Sequence, residues 1–270
     1  MILFSSTDEL KSFLPNVLRE APGTSPYLTK LAPFVDEAEA WVDSTVCPLS
    51  MLDRMPADHI ADIRKIVGAE TIRRAVPALD LVLTPNGFAT LGNDTIAVAS
   101  AHRTEALVRS MADRRDDALD HFLRTAHKIK GWTQTEQAKF FRRSLFFTLS
   151  PFRLRPELSR LEEWYEDSKL AVSVETNLAV SFYSAQLMDA LRLERQSGTG
   201  SPMRRQVAAQ IALVVDAVIH GNVSKIHNFD IVNIIRDCPE EFPEWHASEL
   251  KALFRVEPFR NSRKSGGYFF

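Results

Sequence analysis

The sequence is poor in the residues that build disulfide frameworks and many-turned β folds. It has 2 cysteines among 270 residues, Cys47 and Cys238, far apart in the chain. That excludes a cysteine-rich scaffold and a closely spaced zinc knuckle, and leaves a single disulfide open. Glycine is scarce, at 10 residues, which fits helices better than a fold with many tight turns. No apolar run approaches the roughly 20 residues of a membrane-spanning helix. Met1 leads into a few apolar residues without a basic flank, so no signal peptide is expected and the protein is expected in the cytoplasm. The net charge is −2, so no global field points to nucleic acid or an anionic membrane.

The catalytic signatures are absent too. No G-x-S-x-G, no P-loop lysine motif and no G-x-G-x-x-G occurs. Of the 7 histidines, none stands three or four residues from another, so no helical zinc pair forms. His121 near Asp117 and Asp120, and His220 before Gly221, are the best candidates for a site. Each reads equally as a polar helix face or a helix-end histidine on a carbonyl. Glu162, Glu163, Glu166 and Asp167, like Asp36, Glu37 and Glu39, read as solvated helix faces. So do the pairs Arg114-Arg115, Arg142-Arg143 and Arg204-Arg205, each with acids nearby. No catalytic, cofactor or metal residue is therefore assigned.

What is present is amphipathic helix. Hydrophobic content is 45% and 17 residues are Phe, so the core is expected to be aromatic, with Phe140, Phe141, Phe146, Phe147 and Phe152 in it. Ser6 with Glu9, and Thr133 with Glu136, read as capping boxes. Ser25-Pro26 opens a helix with Leu28, Leu31, Phe34, Val35, Ala38, Trp41 and Val42 on one face. Ile60, Ile63, Ile66, Val67 and Ile72 stripe the next, which Pro77 is expected to stop. From Ala101 a long helix carries Leu107, Met111, Ala118, Leu119, Phe122 and Leu123, opposite a charged face from Arg103 to Asp117. Further helices are expected from Pro156, over Glu175–Arg192, over Met203–His220 and near Phe229–Ile235. Ser197 to Pro202 reads as a flexible loop.

One stretch differs. Over Leu79–Ser100, Leu81-Val82-Leu83 runs into Thr84-Pro85-Asn86-Gly87, where Pro85 presets φ and Asn86 and Gly87 tolerate positive φ. Phe88 to Leu91 is a return arm, Gly92-Asn93-Asp94 a second turn, Ile96-Ala97-Val98 a third arm and Ser100 a helix cap. The halves 1–130 and 131–270 also echo each other. Ile2-Leu3-Phe4-Ser5 matches Leu145-Phe146-Phe147-Thr148, and the Leu28–Ala38 spacing matches Leu158–Ser168. Either the chain is duplicated or two amphipathic helices share a common spacing. The fold expected is mostly α: two helical-bundle halves, with a β-hairpin at about 79–100 inserted in the first and an aromatic arm, Tyr268-Phe269-Phe270, closing the second.

These residues resemble a family. Ile2-Leu3-Phe4, Phe13-Leu14-Pro15, Leu31-x-Pro33-Phe34 with Ala38-Glu39, the block Leu83-Thr84-Pro85-Asn86-Gly87-Phe88, and Ile96-Ala97-x-Ala99-Ser100 are similar to an uncharacterised structural-protein family. Its members are encoded in phages and prophages of gut-type anaerobic bacteria, among head and tail genes. The likeness is dense to about residue 125 and thinner after it, where Phe242-Pro243-Glu244-Trp245 fits. By gene context and helical layout that family is similar to head–tail connector adaptors. The resemblance implies a non-enzymatic virion or assembly protein without cofactors. Its partners would be portal or neck components and copies of itself, with no membrane contact. Thr84, Pro85, Asn86, Gly87, Phe88, Tyr268, Phe269 and Phe270 would make the protein contacts. The competing classes are a helical enzyme or small-molecule binder with a site between the halves, and a DNA-associated assembly factor, against which the near-neutral charge speaks.

Overall fold

The computed structural model describes residues 3–13, 27–84, 87–90, 101–149, 155, 157–222 and 227–255. Several expected features lie outside those residues: the Ser25-Pro26 helix start, the Pro85-Asn86 turn centre, the Gly92–Asp94 turn, the Ile96–Val98 arm, the Ser100 cap, Phe152 and Tyr268–Phe270. The described chain is mostly helical and divides into two compact units, Met1–Val172 and Ser173–Phe270.

In the first unit, α1 (Thr7–Phe13) begins at Ser6, whose hydroxyl accepts from the Glu9 amide at 3.2 Å. Glu9 reaches back one residue further than a capping box requires, to the Ser5 amide at 2.8 Å. Helix α2 (Tyr27–Thr45) buries Leu28, Leu31, Val35, Ala38 and Val42 of the stripe read from the sequence, and leaves its Phe34 and Trp41 half-buried. Helix α3 (Ala57–Asp80) buries Ile63, Ile66, Val67 and Ile72. It runs past Pro77, correcting the expected stop. A proline's fixed φ is already helical, and near a C-terminus it forfeits one bond without preventing a last turn.

The backbone then forms two four-residue strands, β1 (Leu81–Thr84) and β2 (Gly87–Thr90). They run antiparallel, with Leu81 opposite Thr90, Val82 opposite Ala89, Leu83 opposite Phe88 and Thr84 opposite Gly87. Helix α4 (Ala101–Thr125) packs along α3. Glu70 meets Arg115 and Asp62 meets His121, so the two helices run in opposite directions.

Residues 131–172 join this unit rather than opening a second half at 131. Trp132 is buried edge-on to Phe122, its indole N–H donating to Val46 O at 3.2 Å. The cap of α5 (Glu136–Phe141) is Thr135, accepting from the Ala138 amide, and not Thr133 as the spacing suggested. Helix α6 (Arg160–Leu178) starts four residues later than Pro156, at a capping box the sequence reading missed. Ser159 accepts from the Glu162 amide while Glu162 accepts from the Ser159 amide.

In the second unit the expected helix Glu175–Arg192 is broken. A π turn, Ala179–Tyr183, follows α6, and Ser184 takes φ +65° before α7 (Ala185–Ser197). Tertiary contacts enforce the break. The Trp245 indole N–H takes the Phe182 carbonyl at 2.8 Å, and the Tyr183 hydroxyl bonds Asn228 Oδ1 at 2.6 Å. Ser184 then caps α7, accepting from the Leu187 amide. Ser184→Ala keeps the strained φ and loses the cap, so a loss of about 1 kcal/mol is expected. Ser184→Gly relieves φ and should stay within about 0.5 kcal/mol of the parent. Urea midpoints of the two variants check this ordering.

The Ser197–Pro202 segment, expected as a flexible loop, is a C-cap running directly into an N-cap. Gly198 takes φ +71° after α7, and Ser201 accepts from the Arg204 amide to start α8 (Pro202–Ile219). Helix α8 buries Val207, Ile211, Val214 and Val215 but leaves Val218 exposed. Helices α9 (Asn228–Asp237), α10 (Pro243–His246) and α11 (Leu250–Leu253) complete the unit, with Phe242 and Trp245 fully buried.

Candidate functional site

The feature positioned with most care is the α3–α4 pair leading to β1 and β2. Its grip is ionic as well as apolar. Glu70 on α3 is 1% exposed, and Arg115 and Asp116 on α4 are 3% and 0% exposed. These α4 residues were expected on a solvated face; they are in the interior because α4 is covered on more than one side. The Glu70 carboxylate accepts from Arg73 Nε and Arg74 Nε at 2.8 Å each, and from Arg115 Nη1 at 3.0 Å. Arg115 Nε donates to Asp116 Oδ1 at 2.8 Å, and its other nitrogen to Ser159 Oγ at 3.1 Å. Asp116 Oδ2 accepts the Leu161 amide at 3.1 Å, tying α6 to the same cluster.

Burial alone would raise the Glu70 carboxyl. The hydrogen bonds and charges of Arg73, Arg115 and Arg74 outweigh it and hold the group at about 2. Asp116 goes the other way. Its burial dominates, and Arg115 and the Leu161 amide only partly offset the upward push. The cluster is thus an internal clasp whose charges are paired with one another.

The other charged candidates resolve similarly. Glu163 and Asp167 are buried, and with Glu166 they surround Arg155, whose Nη2 lies 2.9 Å from Asp167 Oδ1. Glu39 is buried and accepts the Leu3 amide at 2.8 Å. These correct the solvated-face reading. Arg143 lies over the Phe140 ring at 4.4 Å and donates to Ser168 Oγ. In the second unit Arg204 is buried and forks onto Glu244 at 3.0 and 3.1 Å, with Glu194 at 2.7 Å.

The two histidine candidates each have a partner on a helix. His121 Nδ1 is 2.5 Å from Asp62 Oδ2, a partner on α3 rather than the neighbouring Asp117 or Asp120. His220 Nδ1 sits 2.9 Å from the Asp216 carbonyl, the helix-end role. Cys47 and Cys238 are both free thiols, and burial, with the Asp43 charge, pushes the Cys47 thiol up to about 12. Among the described residues no group of His, Cys, Asp and Glu could hold a metal ion, and no helix is long and apolar enough to cross a membrane.

Of the contact residues named from the sequence, Thr84 and Gly87 form the closing pair of the ribbon and Phe88 stands opposite Leu83. Pro85, Asn86, Tyr268, Phe269 and Phe270 lie outside the described residues. Residues 23–142 match the model of DUF6712, a family of unknown function. No curated protein and no solved structure matches the chain. The DUF6712 match covers under half of the chain. It contains α2, α3, both strands, α4 and α5, and so both arms of the Glu70–Arg115 clasp. Ser159 and Leu161, which close the clasp from α6, fall beyond it.

The clasp residues were missed in the sequence. One signal was available: Glu70 followed by Arg73 and Arg74 is the i, i+3 and i, i+4 spacing of helical ion pairs. Nothing local marks Arg115 as its long-range partner.

Proposed function

We propose that this protein is a non-enzymatic structural or assembly component of a phage or prophage particle, of the head–tail connector kind. Two things support the reading. One is the resemblance carried by the Leu-Thr-Pro-Asn-Gly-Phe block at residues 83–88. The other, which carries it, is the ribbon between α3 and α4. A two-stranded hairpin is marginal on its own in water. Among the described residues β1 and β2 pair only with each other, so each strand has a second edge. Such an edge is a template for a strand from another chain.

In this reading Thr84, Pro85, Asn86, Gly87 and Phe88 contact a neighbouring copy or a portal or neck protein, and Tyr268-Phe269-Phe270 makes a second contact. The buried clasp between α3 and α4 pre-organises the ribbon, so that little ordering entropy is lost on assembly. Assembly takes place in the cytoplasm and the product is carried into the virion.

Deleting Thr84–Phe88 tests the proposal. The expected result is a variant with parental helical circular dichroism that no longer oligomerises in light scattering. It should also no longer co-purify with portal or neck proteins from an induced prophage lysate. Unchanged assembly and unchanged co-purification would sink the assignment.

A further inference from the structure

The second unit carries a cleft that the connector reading does not use. It measures about 510 Å³ and is lined by Arg236, His246, Ser248, Lys251, Ala252 and Arg255. The lining comes from consecutive short elements: Arg236 from the last turn of α9, His246 from the end of α10, Lys251 and Ala252 from α11, and Arg255 just after it. Three of the six, Arg236, Lys251 and Arg255, are basic and none is acidic. The unit as a whole is not basic here, since Asp237, Glu240, Glu241, Glu244 and Glu249 lie in the same stretch of sequence. None of those acids is among the lining residues. Glu244 is forked by Arg204, Glu241 accepts Ser201 Oγ, and Asp237 pairs with Arg236 Nε at 2.9 Å, leaving the rest of that guanidinium.

The remaining polar groups are held in place. His246 Nε2 lies 3.1 Å from the Ile235 carbonyl, and Ser248 Oγ donates to the Trp245 carbonyl at 2.7 Å. Trp245 is itself buried, so Ser248 is anchored to the core. Lys251, on α11, and Arg255, just after it, are both exposed and form no ion pair among the described residues. Like charges gathered around one concavity repel one another, and among the described residues Asp237 offsets one of them, Arg236. A phosphate anion that replaces their water shells relieves that repulsion and accepts several charge-assisted hydrogen bonds at once. The volume falls in the range of small-ligand pockets.

We infer that this cleft is a binding site for a phosphate group, held between the Arg236 and Arg255 guanidinium groups and the Lys251 ammonium. The inference does not rest on the connector reading. The phosphate can belong to a small phosphomonoester or to a nucleic-acid backbone, and the cleft presents the same donors to both.

The test is titration of the full-length chain, by calorimetry and by amide chemical shifts, with three probes: inorganic phosphate, adenosine monophosphate and a short single-stranded DNA. Saturable binding of at least one probe is expected, with shifts centred on residues 236 and 246–255. Binding of the mononucleotide without the DNA assigns a small-molecule ligand; tighter, salt-dependent binding of the DNA assigns the backbone. The double variant Lys251→Gln, Arg255→Gln should bind the same probe at least about tenfold more weakly. Ala252→Glu places a carboxylate in the cleft and should abolish binding. Positions 251, 252 and 255 are exposed, so parental circular dichroism is expected for all three substitutions. Lys169→Gln, an exposed lysine elsewhere, should change nothing. No saturable binding of any probe overturns the inference, as does binding that survives Ala252→Glu. Capture of a glutamate-rich peptide in place of all three probes overturns it too.

Discussion

Arg115→Ala should destabilise the protein by about 3–5 kcal/mol, the range for removing one partner of a buried ion pair. The reason is what the truncation leaves behind. Asp116, fully buried, keeps the Leu161 amide but loses the guanidinium donor at 2.8 Å. Glu70 keeps Arg73 and Arg74, so its loss is smaller. Ser159 loses a donor and Trp41 loses the guanidinium near its ring, at 5.8 Å. Arg115→Lys should recover little, because one ammonium cannot serve Glu70, Asp116 and Ser159 with the geometry of a planar fork. Urea unfolding at neutral pH measures both; a drop under about 1 kcal/mol for Arg115→Ala would show that water already reaches the cluster.

The same clasp sets an acid response. The Glu70 carboxyl sits at about 2 in the folded protein against an ordinary value of 4.5. A depressed carboxyl stabilises the fold above its unfolded value, and the contribution is lost as pH falls from 4.5 toward 2. The size is on the order of 3 kcal/mol. Asp116 is raised and has the opposite sign: it favours the fold below its ordinary value of 3.8 and loses that contribution as pH rises through its folded value. The observed acid loss should therefore be less than Glu70 alone would produce. In Glu70→Gln the stability curve below pH 4.5 should flatten.

Trp164→Ala should cost about 3–5 kcal/mol, the range for emptying a large aromatic site in a core. Trp164 is wholly buried and packs against Phe141 at 4.9 Å and Phe140 at 5.4 Å between ring centres. Its indole N–H also donates to the Phe146 carbonyl at 2.8 Å. Truncation leaves a cavity and an unsatisfied buried acceptor together, and the second adds about 1–3 kcal/mol if no water enters. Trp164→Phe keeps most of the volume but not the donor, so it should fall between the parent and the alanine variant. A Trp164→Ala midpoint equal to that of Trp164→Phe would mean the site collapses and that packing at Trp164 contributes little.

How much of this was legible in the sequence follows the range of the forces involved. Apolar stripes at helical spacing predicted α2, α3, α4 and α8, because burying one face is a local periodic requirement. Ser6 could be read as a cap because it acts on an amide three residues away. Ser159 has the same local logic, whereas Pro156 marks a plausible start without satisfying any donor. Thr133 and Thr135 show the limit of such reading: both precede a carboxylate or amide at a permissible distance, and the turn Trp132–Gln134 decides which one faces the helix.

The charged residues show the other limit. Arg114-Arg115, Glu162-Glu163 and Glu166-Asp167 each look like surface pairs in sequence. In each pair one member is buried and the other exposed. Adjacent residues on a helix point about 100° apart, and only a neighbouring helix decides which of the two it covers. The π turn and Ser184 are likewise invisible locally, since residues 175–192 have an unbroken helical pattern. Trp245 and Asn228, more than forty residues downstream, hold the break open.

The sequence by itself thus determined that the chain is helical, which faces of its long helices are apolar, and that its strand-forming residues are concentrated between α3 and α4. Periodicity and turn chemistry act within a few residues and need no partner. Only the tertiary structure decided which charges go inside, where α6 gives way to α7, and which cations converge on one cleft. Each depends on groups distant in the chain, brought together when the apolar faces close. Burial then strengthens the pairing between those groups and makes any unpaired charge expensive to keep.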